Sequence, residues 1–270
     1  MRGPLARAVL AGLRATHLIG PGFRAFERWQ AWRSNRGRGA ATQGPDGLPL
    51  PPQRLVVLVA GPVTPEAFLA KGRVGADTVR AALSRRGVDI EGVSDILDFG
   101  VGCGRVARHW KDLDGPAVHG CDINPELVRW TGANLPFVSA RVSPLAPPLP
   151  HADAAFDVVY AFSVFTHLPE DLQHAWAREM GRVLRPGGHL IISTHGTAYL
   201  DRLSPEEHAQ FDAGRLVVHF EEVAGSNLCS TFHPTPFLER QFASAFTLVE
   251  SVDEGAPSNG RQDLHVLQRN

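Results

Sequence analysis

The segment spanning residues 96–105 constrains the fold of this chain more than any other part of the sequence. An apolar stretch there includes Asp98 and is followed by glycines at every second position, Gly100, Gly102 and Gly104. Glycine allows positive φ and a close approach of the backbone to a ligand. The pattern predicts a strand, a ligand-binding turn and a helix, whose N-terminus would favour a negatively charged group. The alternative is a glycine-rich turn that binds no ligand.

Strand and helix patterns alternate from residue 95 onward. Strands are predicted at residues 95–99, 117–121, 137–142, 156–162, 189–194, 246–252 and 264–268, and helices at residues 105–111, 125–134, 169–184 and 235–243. This alternation predicts an α/β fold, a Rossmann-like and mostly parallel seven-stranded sheet with helices on both faces. Because no helical pattern separates the last two strands, the last strand is predicted to be antiparallel.

The domain organisation follows from two further segments. Residues 196–233 are too long for a simple connection, and they predict a small cap insertion over the substrate with a helix at 199–211 and extended pieces at 215–220 and 228–232. Residues 53–94 predict an N-terminal cap or helical lead-in, with a strand at 55–60 and a helix at 65–83. We therefore divide the chain into a basic arm and linker (1–52), this lead-in (53–94) and a core (95–270).

The N-terminal arm differs in charge from the rest of the chain. The net charge of −1 combines +7 over residues 1–39 with −8 over the remainder. Residues 1–19 predict a helix that Gly20-Pro21-Gly22 ends, and residues 23–33 mix aromatic residues with arginines. The arm is interpreted as a solvated segment, an anchor on an anionic membrane surface, a transit peptide or a nucleic-acid contact. The acidic core disfavours a nucleic-acid partner.

Cysteine and hydropathy patterns bear on location. Three cysteines, none in a CxxC pair, predict neither a disulfide framework nor a zinc site, and no metal ligand set is predicted among the 12 histidines. The sequence contains no run of 18 apolar residues, so no membrane span is predicted. These patterns favour a cytoplasmic protein, peripheral at a membrane surface if the arm docks there. The oligomeric state is not predicted.

A second acid follows the second predicted strand. Asp122 stands 18 residues after Gly104, where a carboxylate after a strand accepts hydrogen bonds from ribose hydroxyls. The alternative is that Asp122 caps the following helix, a role for which Asn124 competes.

Four segments in this order resemble the class I S-adenosylmethionine-dependent methyltransferases, of the type that acts on small molecules or glycans. They are DFGVGCGR (98–105), GCDINPELV (120–128), PPLPHADAAFDVVYAFSVFTHL (147–168) and EMGRVLRPGGHLIISTHG (179–196). The resemblance implies S-adenosyl-L-methionine as the cofactor. In it, residues 184–188 form the turn before the fifth strand, where proline ends the helix and the glycines make the turn.

The resemblance also implies roles for individual residues. The cofactor-binding residues would be Asp98, Gly100, Gly102, Gly104, Asp122, Ile123, Ser143, Leu145, Ala161 and Ser163. The glycines would line the aminoacyl and ribose portion, Asp98 would hold the ammonium group, and Asp122 would bind the ribose diol. Ile123 would pack on the adenine, which the segment 142–145 flanks, with Ser143 near the place of the family's usual acid. The backbone at 161–163 would run past the methionine portion.

Two histidines are predicted as catalytic bases. An oxygen nucleophile gains from a general base, and His167 and His195 follow the fourth and fifth predicted strands, where ligands bind. The alternatives are a capping or packing role for His167 and a solvated turn for His195. His219, Glu221, Glu222 and His233 are candidates for substrate contact only.

The predicted function is methyl transfer to a small-molecule or glycan acceptor, more often at oxygen than at nitrogen. Residues 161–164 (AFSV) stand where an amino-group methyltransferase carries Asn-Pro-Pro-Tyr. Alternatives are a peptide or protein acceptor, a nucleotide-dependent oxidoreductase, or a non-catalytic cofactor-binding module. The G-x-G-x-G spacing disfavours the oxidoreductase, which would show G-x-G-x-x-G.

Overall fold

The computed structural model describes residues 19–35 and 43–270, so the helix predicted within residues 1–19 lies outside the described residues except for Ile19. The helices are α1 (Ile19–Asn35), α2 (Gln53–Ala60), α3 (Pro65–Arg85), α4 (Pro125–Asn134), α5 (Glu170–Val183), α6 (Pro205–Asp212) and α7 (Thr235–Phe242). The strands are β1 (Asp95–Phe99), β2 (Ala117–Asp122), β3 (Val138–Val142), β4 (Phe156–Ala161), β5 (Leu184–Thr194), β6 (Val217–His219), β7 (Ser230–Phe232), β8 (Phe246–Ala256) and β9 (Gln262–Arg269).

Seven strands form one sheet in the order β3-β2-β1-β4-β5-β9-β8. The first five are parallel, and β9 is antiparallel to both of its neighbours. This topology confirms the predicted mostly parallel sheet with an antiparallel last strand. The order reverses at β1, which lies between β2 and β4, and the carboxyl ends of these strands form the crevice in which such folds bind ligands.

A hydrophobic core lies on each face of the sheet. Successive side chains of a strand point to opposite sides, so one strand contributes to both cores. Leu97 of β1 packs into a core with α5 and α7, which contribute Trp176 and Phe242. The adjacent Ile96 packs into a second core on the other face, with Val79 of α3. The central strands β4 and β5 therefore contain nearly continuous runs of buried residues, as expected for a parallel sheet covered by helices, whereas the outer strands β3 and β8 are more exposed.

The prediction of a strand at residues 55–60 is wrong, because these residues form helix α2. A short apolar run fits a buried helix as well as a strand. Leu55 and Val56 are buried against Phe68 of α3 and Leu127 of α4. This packing of one helical face decides the conformation.

The helix predicted at residues 105–111 is reduced to one 3₁₀ turn, Ala107–Trp110. Gly100, Gly102 and Gly104 have φ of 91°, 55° and 71°, so the chain continues in turns through residue 106. The predicted helix N-terminus facing a negative group is therefore absent from this part of the described chain.

Three other boundaries differ from the prediction. Gly20-Pro21-Gly22 lies in the first turns of α1 and does not end a helix, since proline is tolerated in a first turn. The helix predicted at 199–211 is split into a 3₁₀ segment, Thr197–Arg202, and α6, because Ser204 forms a capping box with Glu207 and starts a new helix. The segment 184–188 already belongs to β5.

Among the described residues, no single helix is long and apolar enough to cross a membrane. The bent pair α2 and α3 meets length and composition requirements only when both helices are taken together.

Candidate functional site

A cavity of about 340 Å³ lies at the carboxyl ends of β1, β2 and β4. The turn 98–102 forms its floor, together with residues that follow β2 and β4. Three other segments complete the wall: Glu27 of α1, Leu58 and Val59 of α2, and residues 225–227 of the insertion. The cavity is therefore enclosed by parts of the chain that are distant in sequence.

Asp122 is held in a defined orientation at the end of β2. Its Oδ2 accepts a hydrogen bond from the Gly102 amide (3.0 Å), and its Oδ1 accepts one from the Asn124 amide (2.8 Å). The N-cap of α4 is Asn124, whose side chain accepts from the Glu126 amide. The Asp122 carboxylate thus retains lone pairs for a ligand, although burial raises its pKa.

Asp98, at the end of β1, is a buried carboxylate that lines the same cavity. Tyr160 Oη donates to Asp98 Oδ2 (2.7 Å) and accepts from Trp110 Nε1 (2.8 Å). Burial raises the pKa of Asp98 to about 7, against the opposing effects of Tyr160 and of the Arg105 charge. A ligand ammonium group beside this carboxylate would favour its ionised form.

Arg105 is a buried cation in the cavity wall that the sequence analysis did not single out. Its guanidinium donates to the Ser258 carbonyl (3.2 Å) and to Asn259 Oδ1 (3.1 Å). Its Nε has no hydrogen-bond partner among the described residues. Because no α-helix starts at Arg105, its side chain, instead of a helix dipole, provides positive charge at this end.

The other end of the cavity is apolar. Ile123 and Leu145 line it and remain 41% and 42% exposed, so both side chains are accessible to a ligand. The Leu145 carbonyl accepts from Trp176 Nε1 (2.9 Å), which fixes the loop after β3. Ser143 is buried in the same wall. Two apolar side chains around an open space suit a flat heterocycle.

His167, in the 3₁₀ turn Phe165–His167 after β4, lines the cavity. Its Nδ1 lies 2.6 Å from the Cys229 carbonyl oxygen. A carbonyl only accepts, so Nδ1 carries the proton and Nε2 keeps its lone pair. Burial lowers the pKa of His167, and the ring is neutral near pH 7. These are the properties that a general base requires.

His195, at the end of β5, is not in the cavity wall. It is buried, with Nδ1 3.2 Å from the Thr231 carbonyl and Nε2 accepting from Gln262 Nε2 (3.4 Å). Its ring centroid lies 4.4 Å from that of Tyr199. Burial lowers the pKa of His195 to about 3. Both ring nitrogens are engaged, so the solvated turn considered as its alternative is not observed.

The structure brings most of the predicted cofactor residues together. The cavity wall includes Asp98, Gly100, Gly102, Asp122, Ile123, Ser143, Leu145 and Ser163. Gly104 and Ala161 lie outside the wall; Gly104 has a φ of 71°, which favours glycine, and a Cβ there would require the Leu135 side chain to shift. Their roles in binding stay predictions.

The four weaker candidates in the insertion are dispersed. His219 Nε2 lies 3.0 Å from Glu207 Oε1, and His233 is buried with Nε2 beside Gln173. Glu221 and Glu222 line a second cavity, between α1 and residues 218–226. None of them lies in the wall of the first cavity as described.

The residues of the first cavity fit S-adenosylmethionine. One end presents a buried carboxylate, Asp98, and a cation, Arg105, whose Nε lacks a partner, which suits an amino-acid group. The middle presents the oriented Asp122 carboxylate for a diol, and the apolar end holds Ile123 and Leu145 for a base. The order of these groups along the cavity matches the order of charge and polarity along the cofactor.

Comparisons with known proteins agree with a site for S-adenosylmethionine. Residues 97–192 match a family described as methyltransferase domain. The chain is 39% identical over 181 residues to a probable S-adenosylmethionine-dependent methyltransferase of Mycolicibacterium smegmatis, covering 64% of this chain and 68% of that protein. It is 35% identical over 150 residues to a malonyl-acyl-carrier-protein O-methyltransferase of Hahella chejuensis, covering 53% of this chain and only half (50%) of that relative.

A solved structure shares the fold. It is the 1,6-didemethyltoxoflavin-N1-methyltransferase of Burkholderia thailandensis with bound S-adenosylhomocysteine, with a TM-score of 0.52 and 21% identity. The match covers 75% of this chain and 79% of that chain. At this identity the likeness shows the architecture alone.

Proposed function

This chain belongs to the class I S-adenosylmethionine-dependent methyltransferase family, and on that premise we propose that it transfers a methyl group to an oxygen atom of a small molecule or glycan. The observation that supports this proposal is the 2.6 Å contact between His167 Nδ1 and the Cys229 carbonyl oxygen, from which the tautomer follows. Its Nδ1 proton is held by the Cys229 carbonyl, so the lone pair of Nε2 is available in a residue that lines the cofactor cavity.

The protein's part in binding the cofactor is to fix both of its ends. When bound, S-adenosylmethionine supplies a methyl group that its sulfonium already activates. Asp122, oriented by two backbone amides, binds the hydroxyls of the ribose, while Asp98 and Arg105 hold the charged groups of the amino-acid end. Fixing the cofactor in this way turns methyl transfer into a problem of alignment, for which proximity alone lowers the barrier substantially.

His167 activates the acceptor in this proposal. A hydroxyl group becomes a better nucleophile when its proton is removed as the new bond forms. Val164 and Leu168 are apolar neighbours in the cavity wall, and they limit competing water. Because burial lowers the pKa of His167, the ring is unprotonated and ready to accept at neutral pH.

The acceptor class is supported by the cavity and by one relative. Leu58, Val59, Phe162 and Val164 form apolar parts of the wall, which suit a compact organic molecule. The Hahella chejuensis relative is named an O-methyltransferase. The charge of −8 outside the first 39 residues disfavours nucleic acid as the acceptor.

The test is methyl transfer from isotopically labelled S-adenosylmethionine to a panel of phenols, sugars, carboxylic acids, amines and a peptide mixture, read by mass spectrometry. We expect label on an oxygen of a small molecule or sugar. Label on nitrogen only, or on peptides only, would contradict the proposed acceptor class while leaving the family assignment intact.

The base is tested with His167→Gln. Because a general base typically contributes about 10²- to 10⁴-fold, we expect kcat to fall by about that factor. The affinity for S-adenosylhomocysteine, measured by calorimetry, should stay within about twofold, since His167 is not assigned to the cofactor. The matched control is His208→Gln, a half-exposed histidine paired with Asp212 on α6, which should leave kcat unchanged. Full activity of His167→Gln would refute the role of the base.

A further inference from the structure

Helix α1 exposes three large aromatic side chains. Phe26, Trp29 and Trp32 are 46%, 47% and 54% exposed, and they are spaced three residues apart. The Phe26 and Trp29 rings stack with centroids 5.9 Å apart, so the side chains form a continuous surface. We call these three residues the outer aromatic face. Exposed aromatic rings in such a cluster indicate an interaction site.

The outer aromatic face lies opposite the side of α1 that packs on the protein. At about 100° per residue, Trp29 and Trp32 lie on the far side of the helix from Glu27. Glu27 lines the cofactor cavity, and Gly20 and Phe23, within about 40° of Glu27 on the helical wheel, line the second cavity. Asn227 Nδ2 donates to Glu27 Oε1 (3.4 Å), which joins α1 to the insertion. One side of α1 therefore packs on the protein and the other faces outward.

Two arginines lie beside the tryptophans of the outer aromatic face. Arg28 and Arg33 are exposed, and the Arg33 guanidinium lies 5.4 Å from the centroid of the Trp29 ring. On the helical wheel, Arg28 and Arg33 lie on either side of Trp29 and Trp32. Residues 19–35 carry three arginines and one glutamate, a net charge of +2, within a segment (1–39) of net charge +7, while the remainder of the chain carries −8.

We propose that α1 is a membrane-interface helix, whose outer aromatic face inserts into the surface of an anionic lipid bilayer. Tryptophan is enriched where hydrocarbon meets headgroups, and flanking arginines are attracted by anionic lipids. A helix that lies in the interface combines these two features along its length. The acidic remainder of the chain is repelled by the same surface, so the two charges orient the protein with α1 toward the lipid.

This proposal goes beyond methyl transfer and has a consequence for it. Because the inner side of α1 contributes Glu27 to both cavities, membrane docking places the cavity walls next to the lipid surface. The second cavity lies between α1 and residues 218–226 and is lined largely by apolar residues, among them Phe23 and Phe220.

The test is sedimentation of the full chain with vesicles of phosphatidylcholine alone or mixed with phosphatidylglycerol. We expect binding only to the anionic vesicles, weakening as salt is added. Arg28→Gln/Arg33→Gln should lower the partition coefficient by about 30-fold, since each arginine near the surface contributes about fivefold. The matched control is Arg129→Gln/Arg178→Gln, two exposed arginines on α4 and α5, which should bind as the parent protein does.

The aromatic part is tested with Trp29→Ser/Trp32→Ser. We expect about a tenfold loss of partitioning, because burial of the exposed ring surface is lost. In the parent protein, the tryptophan emission should shift to shorter wavelength when anionic vesicles are added, and this shift should be absent in the double variant, although Trp110, Trp130 and Trp176 remain. Val74→Ser, which changes an exposed apolar residue of α3, is the control.

Three results would overturn the proposal. The first is no binding to anionic vesicles at low salt. The second is equal binding of the parent and both double variants. The third is a dimer in analytical ultracentrifugation that Trp29→Ser/Trp32→Ser converts to a monomer without any vesicle binding by the parent, since the outer aromatic face would then be a protein interface.

Discussion

At the scale of single residues, the two carboxylates of the cavity are held in different ways. Asp122 accepts from two backbone amides, whereas Asp98 is buried with a single hydroxyl donor, Tyr160. Backbone donors favour the charged form strongly, and burial opposes it. Asp98 is therefore the carboxylate whose charge depends on a ligand.

We expect cofactor affinity to depend on the ionisation of Asp98. Its pKa is raised to about 7 in the free protein, and a ligand ammonium group requires the ionised form. The affinity for S-adenosylhomocysteine should therefore be highest above pH 7 and fall by up to about tenfold per pH unit below it. Calorimetry between about pH 6 and about pH 8 measures this dependence.

The matched variants isolate the group. Asp98→Asn should bind more weakly at pH 8 but with little change on acidification, since an amide does not titrate in this range. Asp112→Asn, at a carboxylate whose side chain is 85% exposed, should retain the dependence of the parent protein. If Asp98→Asn kept the pH dependence of the parent protein, the titrating group would be a residue other than Asp98.

Sequence reasoning at this scale found the residues with a strong local pattern and missed those defined by the fold. Asp98 is the penultimate residue of β1 and Asp122 the last residue of β2, positions that are visible in the sequence. Arg105 was passed over because it was assigned to a helix, and only the fold brings it to Ser258 and Asn259. Glu27 and Asn227 line the cavity and form a hydrogen bond, although they are 200 residues apart in the sequence. No local sequence pattern predicts that contact.

At the scale of elements, the strands of the core were predictable and the segments that cover them were less so. A buried parallel strand is a short segment of mostly buried residues between turn signals, as β1 is. The apolar residues 55–60 fit a strand equally well, and only the neighbours of α2 decide for a helix. The turn after β1 agrees with the glycine pattern, whereas the helix predicted at residues 105–111 is only the 3₁₀ turn Ala107–Trp110.

We expect the contact between the insertion and α2 to control cofactor release. Asn227 Nδ2 donates to the Leu58 carbonyl (2.8 Å) and joins two walls of the cavity. Asn227→Ala removes this bond, so S-adenosylhomocysteine should dissociate about threefold faster, the effect of one hydrogen bond at the surface. Stopped-flow displacement measures the rate.

The control for this contact is Asn134→Ala. Asn134 Nδ2 donates to the Trp130 carbonyl within α4, a bond that joins no two elements. Dissociation from this variant should match that from the parent protein. If Asn227→Ala also released the ligand at the parent rate, the two walls would be held together by other contacts.

At the scale of the whole molecule, the buried histidines determine how stability depends on pH. In the described part of the chain, the pKa is lowered for His109, His151, His167, His189, His195, His233 and His265. Burial is the first cause in each case. Burial raises the pKa of three carboxyls, Asp98, Asp122 and Asp263, which act in the opposite direction.

The sign follows from proton binding. Below the ordinary histidine pKa of about 6.5 the unfolded chain binds more protons at these histidines than the folded chain does, so acidification favours unfolding. The raised carboxyls bind protons in the folded state and oppose this trend, but they are fewer. We therefore expect the free energy of unfolding to fall from pH 7 to pH 5, as measured by urea denaturation.

One histidine provides the specific check. His265 is buried, its pKa is lowered to about 4, and its nitrogens lie 2.9 Å from Thr194 and Ser251 hydroxyls. His265→Gln should remove about 2 kcal/mol of the loss between pH 6.5 and pH 5. His174→Gln, with a side chain 44% exposed, should retain the full loss. Stability that rises on acidification would contradict the balance described here.

The hydrogen bond between His167 and Cys229 makes the chemistry conditional on the shape of the molecule. The insertion holds His167 twice, because the Gly225 amide also donates to the His167 carbonyl (2.8 Å). Any displacement of residues 225–229 would remove the acceptor of Nδ1 and leave the imidazole free to change tautomer. The orientation and tautomer of the proposed base therefore depend on two backbone groups that lie about 60 residues away in the sequence.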